Sequence, residues 1–162
     1  MTSPLRIVPA WLATGVIVLG ATAGPVLSQT KKPADLTLKD LPAAVQKTVQ
    51  ETLKGATIKH ISMETEAGIQ QFEIESVLNG HARDFNVDAK GTLLVIEEAT
   101  TISAIPAAAR AAIVKKAAGG QVRVVETFER PGKPMLYEAG YADAKGKAHE
   151  VLVSADGVET KP

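Results

Sequence analysis

Apolar positions along this chain keep two different periods, and the change from one to the other occurs twice. Leu41, Val45, Val49 and Leu53 recur every four residues, with Ala44 and Ala56 beside them, which is the stripe of one helix. Asp40 is placed to cap that helix, Pro42 falls in its first turn, where a missing N–H costs nothing, and Gly55 ends it. Residues 57–65 then read as a strand closed by Glu66-Ala67-Gly68. Further on, Phe72, Ile74, Ser76 and Leu78 alternate with Gln71, Glu73, Glu75 and Val77, the pattern of a half-buried strand. Asn79-Gly80 predicts a two-residue hairpin, after which His81, Arg83, Phe85 and Val87 continue the apolar face. Asp88-Ala89-Lys90-Gly91 turns the chain again before a strand over 92–97.

The same order then returns. Ser103 is placed as a cap, Ile105, Ala109, Ala112, Ile113 and Ala117 form a stripe, and Gly119-Gly120 ends it. A strand over 121–128 follows, with Val122, Val124 and Phe128 on its apolar face. After the loop Arg130-Pro131-Gly132-Lys133-Pro134 come strands over 135–142 and 147–153, joined by a hairpin at Ala144-Lys145-Gly146. The turn Ser154-Ala155-Asp156-Gly157 and a short strand over 158–160 close the pattern. Leu41-Pro42-Ala43-Ala44 matches Ile105-Pro106-Ala107-Ala108 at an offset of 64, Phe72-Glu73 matches Tyr137-Glu138 at 65, and residues 82–91 match 148–157 at 66. Each step of the offset falls at an expected turn, as in a duplicated unit. The predicted fold is therefore α+β. It has two tandem helix-plus-antiparallel-sheet units, 37–98 and 99–162, with both helices on one face of the sheet and the other face open.

The N-terminus reads as a leader to be set aside before the fold. Arg6 is the only charge before Lys31, and an apolar run from Trp11 to Ala21 follows it. Small residues then offer cleavage after Ala23 or after Ser28. This is the pattern of a secretory leader over 1–28, shorter than the ~20 apolar residues that span a bilayer. Residues 29–36 read as a polar tether. The expected location is periplasmic or secreted, with no membrane association once the leader is removed.

Composition narrows the chemistry. The chain has no Cys, so thiol catalysis, thiolate metal sites and lipid attachment through cysteine are excluded. With 18 basic and 18 acidic residues and no basic stripe, nucleic acid is not an expected partner. Only 4% of the residues are aromatic, so Val, Ile, Leu and Ala must fill the core.

Leu38-Lys39-Asp40-Leu41-Pro42-Ala43-Ala44-Val45, the alternating strand with Phe72-Glu73, and the strand ending in Asp88-Ala89-Lys90-Gly91 are similar to the PepSY-like domains of exported bacterial proteins. The tandem order over about 36–160 resembles the beta-lactamase-inhibitor-protein-like fold. The resemblance implies two units sharing one sheet and a periplasmic or secreted binding role that extends, in some relatives, to peptidase inhibition. It implies no catalytic residues.

No motif in the chain asks for an enzyme. His60, His81 and His149 lack metal-ligand spacing, and no Gly-x-Ser-x-Gly turn presents a nucleophile. The Asp88 and Ser154 turns lack the further acidic ligands of a calcium loop. No cofactor is expected. The sharper feature is acidic. The Asn79-Gly80 turn puts residues summing to 159 opposite one another, so Glu75 faces Asp84 and Glu73 faces Asn86, away from Phe72 and Phe85. Glu138 and Glu150 match Glu73 and Asp84 in the second unit. Val77, Leu136 and Leu152 share that face as apolar positions where water is expected, which reads equally as a modest binding patch or as the seam between the two units. Lys59 and Arg123 are the cations placed to neutralise it. These residues mark either a face for docking a protein or peptide or a solvated face whose charges keep the sheet soluble. The alternative is an envelope sensor that takes a small ligand or cation on the acids.

Overall fold

A computed structural model describes residues 36–161, except residue 67. The expected leader and most of the tether, 1–35, lie outside the described residues.

Helix α1 runs Ala43–Leu53 and α2 runs Ala107–Ala117. Neither starts where the capping residues predicted. Pro42 and Pro106 occupy the N-cap positions, and their carbonyls accept the first helical bonds from Gln46 N and Arg110 N, each at 2.9 Å. Asp40 serves an earlier 3-10 turn, Leu38–Asp40, in which Thr37 N and Oγ1 donate to its Oδ2 at 2.8 and 2.6 Å. Ser103 is likewise spent before the helix, with its hydroxyl 3.1 Å from that of Thr101. Both helices end on a left-handed residue, Lys54 and Ala118, one position ahead of the glycine.

The strands are β1 Thr57–Glu66, β2 Ile69–Leu78, β3 His81–Asp88, β4 Leu93–Ala99, β5 Gln121–Glu129, β6 Leu136–Ala142, β7 Ala148–Ser154 and β8 Glu159–Thr160. They form one antiparallel sheet in sequential order, and α2 bridges β4 and β5. The Asn79-Gly80 hairpin sets the expected register, with Phe72 opposite Val87, Glu73 opposite Asn86 and Ile74 opposite Phe85. Between Ile74/Phe85 and Val77/Ala82, side chains take over from the ladder. Ser76 N donates to Asp84 Oδ1 at 2.9 Å, and the buried Ser76 hydroxyl donates to the Arg83 carbonyl. Lys59 and Arg123 are the extra residues of bulges in β1 and β5. The β5 bulge corrects one expectation. It shifts parity within the strand, so Val122 and Val125 face the helices while Val124 and Phe128 point the other way.

Both helices cover the same side of the sheet. Leu41, Val45 and Val49 pack on Ile61, Phe72, Ile74, Phe85 and Val87. Ile105, Ala109, Ile113 and Ala117 pack on Val125, Ala139, Tyr141, Val151 and Val153. The register ties the two cores to one face, because Phe85 pairs with Ile96, and Glu98, two residues on, pairs with Thr127 beside Val125. Arg83 is buried on this face and donates to the last-turn Thr52 carbonyl at 2.8 Å, with Glu98 3.6 Å away. At about 1.5–3 kcal/mol for each large apolar side chain buried, these two cores supply most of the drive to fold.

Candidate binding face

With both helices on one side, the other side of β2–β7 is uncovered by any described helix. Register places the candidate residues there in rows. One row runs Val77–Ala82 across β2–β3. It continues from Ala99 through Glu126 and Glu138 to Leu152 and Thr160. The next row runs from Asp84 through Glu97, Phe128 and Leu136. Glu73 lies opposite Asn86 and Asn86 opposite Val95, while Glu150 lies opposite Gly140. All eight expected residues, Glu73, Glu75, Val77, Asp84, Leu136, Glu138, Glu150 and Leu152, therefore share one face by parity.

At the apolar positions the burial favours the seam over the binding patch. Leu136 and Leu152 are only 7% and 6% exposed, packed with Phe128 and Val95 in a third small cluster. They are a floor beneath the acids and present no greasy patch to water. Val77 is half-buried. Sequence reasoning missed Glu97, Glu126 and Phe128, which complete the two rows. A strand at 92–97 was legible, but its pairing with β5 spans α2 and has no hairpin turn to announce it.

The carboxyls perturb one another. Burial, and then the charges of Glu138, Glu126, Asp84 and Glu73, push Glu97 up to about 8. Burial, and then Glu150 and Glu126, push Glu138 up to about 7. Glu73 is raised by burial and by Glu64, Glu75 and Asp84, against the Ser62 hydroxyl that donates to it at 3.2 Å. Glu150 is raised by burial. The charges acting on these groups are other carboxylates. Lys59 and Arg123 stand exposed at their bulges and do not enter. At the β1–β2 end, Gln71 and Asn86 amides satisfy Glu64 Oε1 at 2.8 and 3.3 Å. Toward β6 the satisfaction stops. Glu138 is 8% exposed and its Oε2 has no hydrogen-bond partner among the described residues. Arg130 lies over the Phe128 ring at 5.5 Å, with its Nε also unpartnered.

Other chemistry is accounted for locally. His149 Nε2 meets Asp143 Oδ2 at 2.9 Å and its ring stacks on Tyr141. The Asp88 and Asp143 carboxylates accept from backbone N–H groups of their own turns. Among the described residues no three His, Asp or Glu side chains converge as a metal ion requires, and no helix is long and apolar enough to cross a membrane.

The chain matches no family model and no curated protein. Its fold is similar to that of solved structures from Bacteroides species. A DUF2874 family protein from Bacteroides ovatus aligns with a TM-score of 0.59 at 14% identity, covering 75% of this chain and 85% of that one. A proposed periplasmic protein from Bacteroides eggerthii aligns at 0.61 and 15%, covering 75% and 86%. A BLIP-like protein from Bacteroides fragilis aligns at 0.56 and 20%, covering 75% and 84%. The shared property is the fold, an α+β arrangement of BLIP-like kind.

Proposed function

We propose that this chain is an exported, non-catalytic binding module of the PepSY-like type, built from two related units, that docks a protein or peptide segment on its open sheet face. One observation carries the reading. A face that no described helix covers holds two rows of carboxyls, in which Glu97 and Glu138 are partly dehydrated and raised by the charges of other carboxylates. Like charges placed across a sheet cost stability, and a docking surface gives that cost a use. The leader pattern and the periplasmic description of the Bacteroides eggerthii relative support an envelope location. The BLIP-like description of the Bacteroides fragilis relative supports a protein partner, of which a restrained peptidase is the kind the resemblance suggests. Nucleophile candidates are engaged elsewhere: Ser62 with Glu73, Ser76 with the Arg83 carbonyl, Ser103 with Thr101 and Ser154 with Asp156.

Titration of the labelled protein with a panel of short acidic, neutral and basic peptides tests the reading. Amide shifts confined to open-face positions of β2–β7 are expected. Shifts on the helix side alone, or none with any peptide, overturn it. A second reading, an envelope sensor of a cation or small ligand, draws on the same raised carboxyls. It requires calcium or magnesium to raise the melting temperature.

A further inference from the structure

Resting on that docking reading, we propose that the open face selects a basic side chain, a guanidinium or ammonium of the docked segment seated among Glu97, Glu126 and Glu138. The acidic cluster alone does not carry this. The second observation is Glu138 itself, which is nine-tenths buried among the other carboxyls with Oε2 unpartnered. A buried carboxyl oxygen without a donor costs free energy, which an incoming N–H group recovers.

The geometry favours a side-chain cation over a metal ion. Glu126 and Glu138 lie directly opposite on β5 and β6, and Glu97 sits one row away beside Phe128. Facing positions in a ladder are about 4.5–5.5 Å apart and diagonals about 7–8 Å. A guanidinium spreads five N–H donors over such a span, whereas calcium needs its oxygens gathered within about 2.6 Å of one point. No such gathering exists among the described residues. Phe128, Leu136 and Leu152 supply the dry floor that strengthens each charge-assisted bond.

The other carboxylates on this face act in the same sense: Glu64 on β1, Glu73 and Glu75 on β2, Asp84 on β3 and Glu150 on β7. His60 on β1 is the one imidazole there, and the Arg130 guanidinium over Phe128 at the end of β5 acts against a second cation. Near neutral pH the empty site holds protons, because Glu97 and Glu138 are raised to about 8 and about 7. A bound cation favours their ionised forms, so binding releases on the order of one proton and tightens as pH rises.

The test is calorimetric titration of an arginine–glycine repeat peptide and its citrulline counterpart, at pH 6.0 and 8.5 and in buffers of differing ionisation enthalpy. The arginine peptide should bind about tenfold more tightly at the higher pH, with net proton release. The citrulline peptide should not bind. Glu138→Gln and Glu97→Gln should each weaken binding about tenfold while the fold persists by circular dichroism. His60→Gln should keep the pH dependence. If citrulline and arginine peptides bind alike on this face, the selection of a cation fails while docking stands. If no peptide binds, both readings fail. If calcium alone raises the melting temperature and blocks the arginine peptide, the site belongs to a metal and this inference is overturned.

Discussion

At the scale of single residues, the acidic face sets how stability follows pH. Glu97 has an ordinary value of 4.5 when unfolded and is pushed up to about 8 by folding, and Glu138 goes from 4.5 to about 7. The folded state therefore binds protons more tightly, and stability falls as pH rises. This contribution is fully present below about 4.5 and is lost as pH climbs through 7 and 8. Denaturant unfolding at pH 5.5 and 8.5 should show the decline. Glu97→Gln should raise stability at pH 8.5 by about 1–3 kcal/mol and flatten the profile. A variant profile that still tracks the wild type would show that Glu97 is solvated. Part of this face was legible from residues alone. One Asn-Gly turn and a period of two suffice to put Glu73, Glu75 and Asp84 together. Glu97 and Glu126 were not, because the pairing that joins them is made between strands with α2 in between. Leu136 and Leu152 were legible as either a patch or a seam, and Phe128, which reaches the open face through a bulge, decides for the seam.

At the scale of elements, the helices are held by turns as well as by apolar stripes. The β3–β4 turn lies against the start of α1. A Cβ on Gly91, whose φ is +88°, would come within 2.8 Å of the Ala44 backbone, and the Thr48 hydroxyl donates to the Gly91 carbonyl at 2.6 Å. The β7–β8 turn does the same to α2. A Cβ on Gly157, with φ +81°, would stand 2.6 Å from the Ala108 carbonyl oxygen. Gly80 has a similar φ of +87° but open space around it. Gly91→Ala and Gly157→Ala should therefore each cost about 2–4 kcal/mol in denaturant unfolding, since strain and collision add. Gly80→Ala should cost only about 1 kcal/mol, from strain alone. Equal losses at all three would mean that the turns do not press on the helices. These two turns stood out in the sequence as matched segments at the same places in each half. Their role as helix stops did not, because neither Asp88 nor Ser154 signals what lies across the turn. The capping residues misled for a related reason. Asp40 and Ser103 are good caps by type, but Pro42 and Pro106 already fix the entry conformation, so each helix starts after its proline.

At the scale of the whole molecule, the question is what makes two cores under two helices behave as one body. On the helix side they are separate clusters, one gathered by α1 and one by α2. The backbone joins them through the β4–β5 ladder, from Ile96 opposite Glu129 to Ala99 opposite Glu126. Side chains join them on the open side, where Val95 of β4 packs on Phe128, Leu136 and Leu152 of the second half. Phe128 is 4% exposed and sits at the centre of that contact, opposite both Glu97 and Leu136. The floor of the binding face is thus also the apolar seam between halves, which links binding to cooperativity. Phe128→Ala should remove about 3 kcal/mol and leave a void at the seam. Amide hydrogen exchange should then divide. Amides of α1 and β1–β3 should open with a free energy about 1 kcal/mol or more different from those of α2 and β6–β7, where the wild type opens as one unit. The same variant should lose affinity for the arginine peptide, because Glu97 and Glu138 would regain water and their raised values would relax toward the ordinary carboxylate range. Uniform weakening of exchange in both halves, with binding intact, would show that the ladder alone couples the cores and that the dry floor plays no part in recognition.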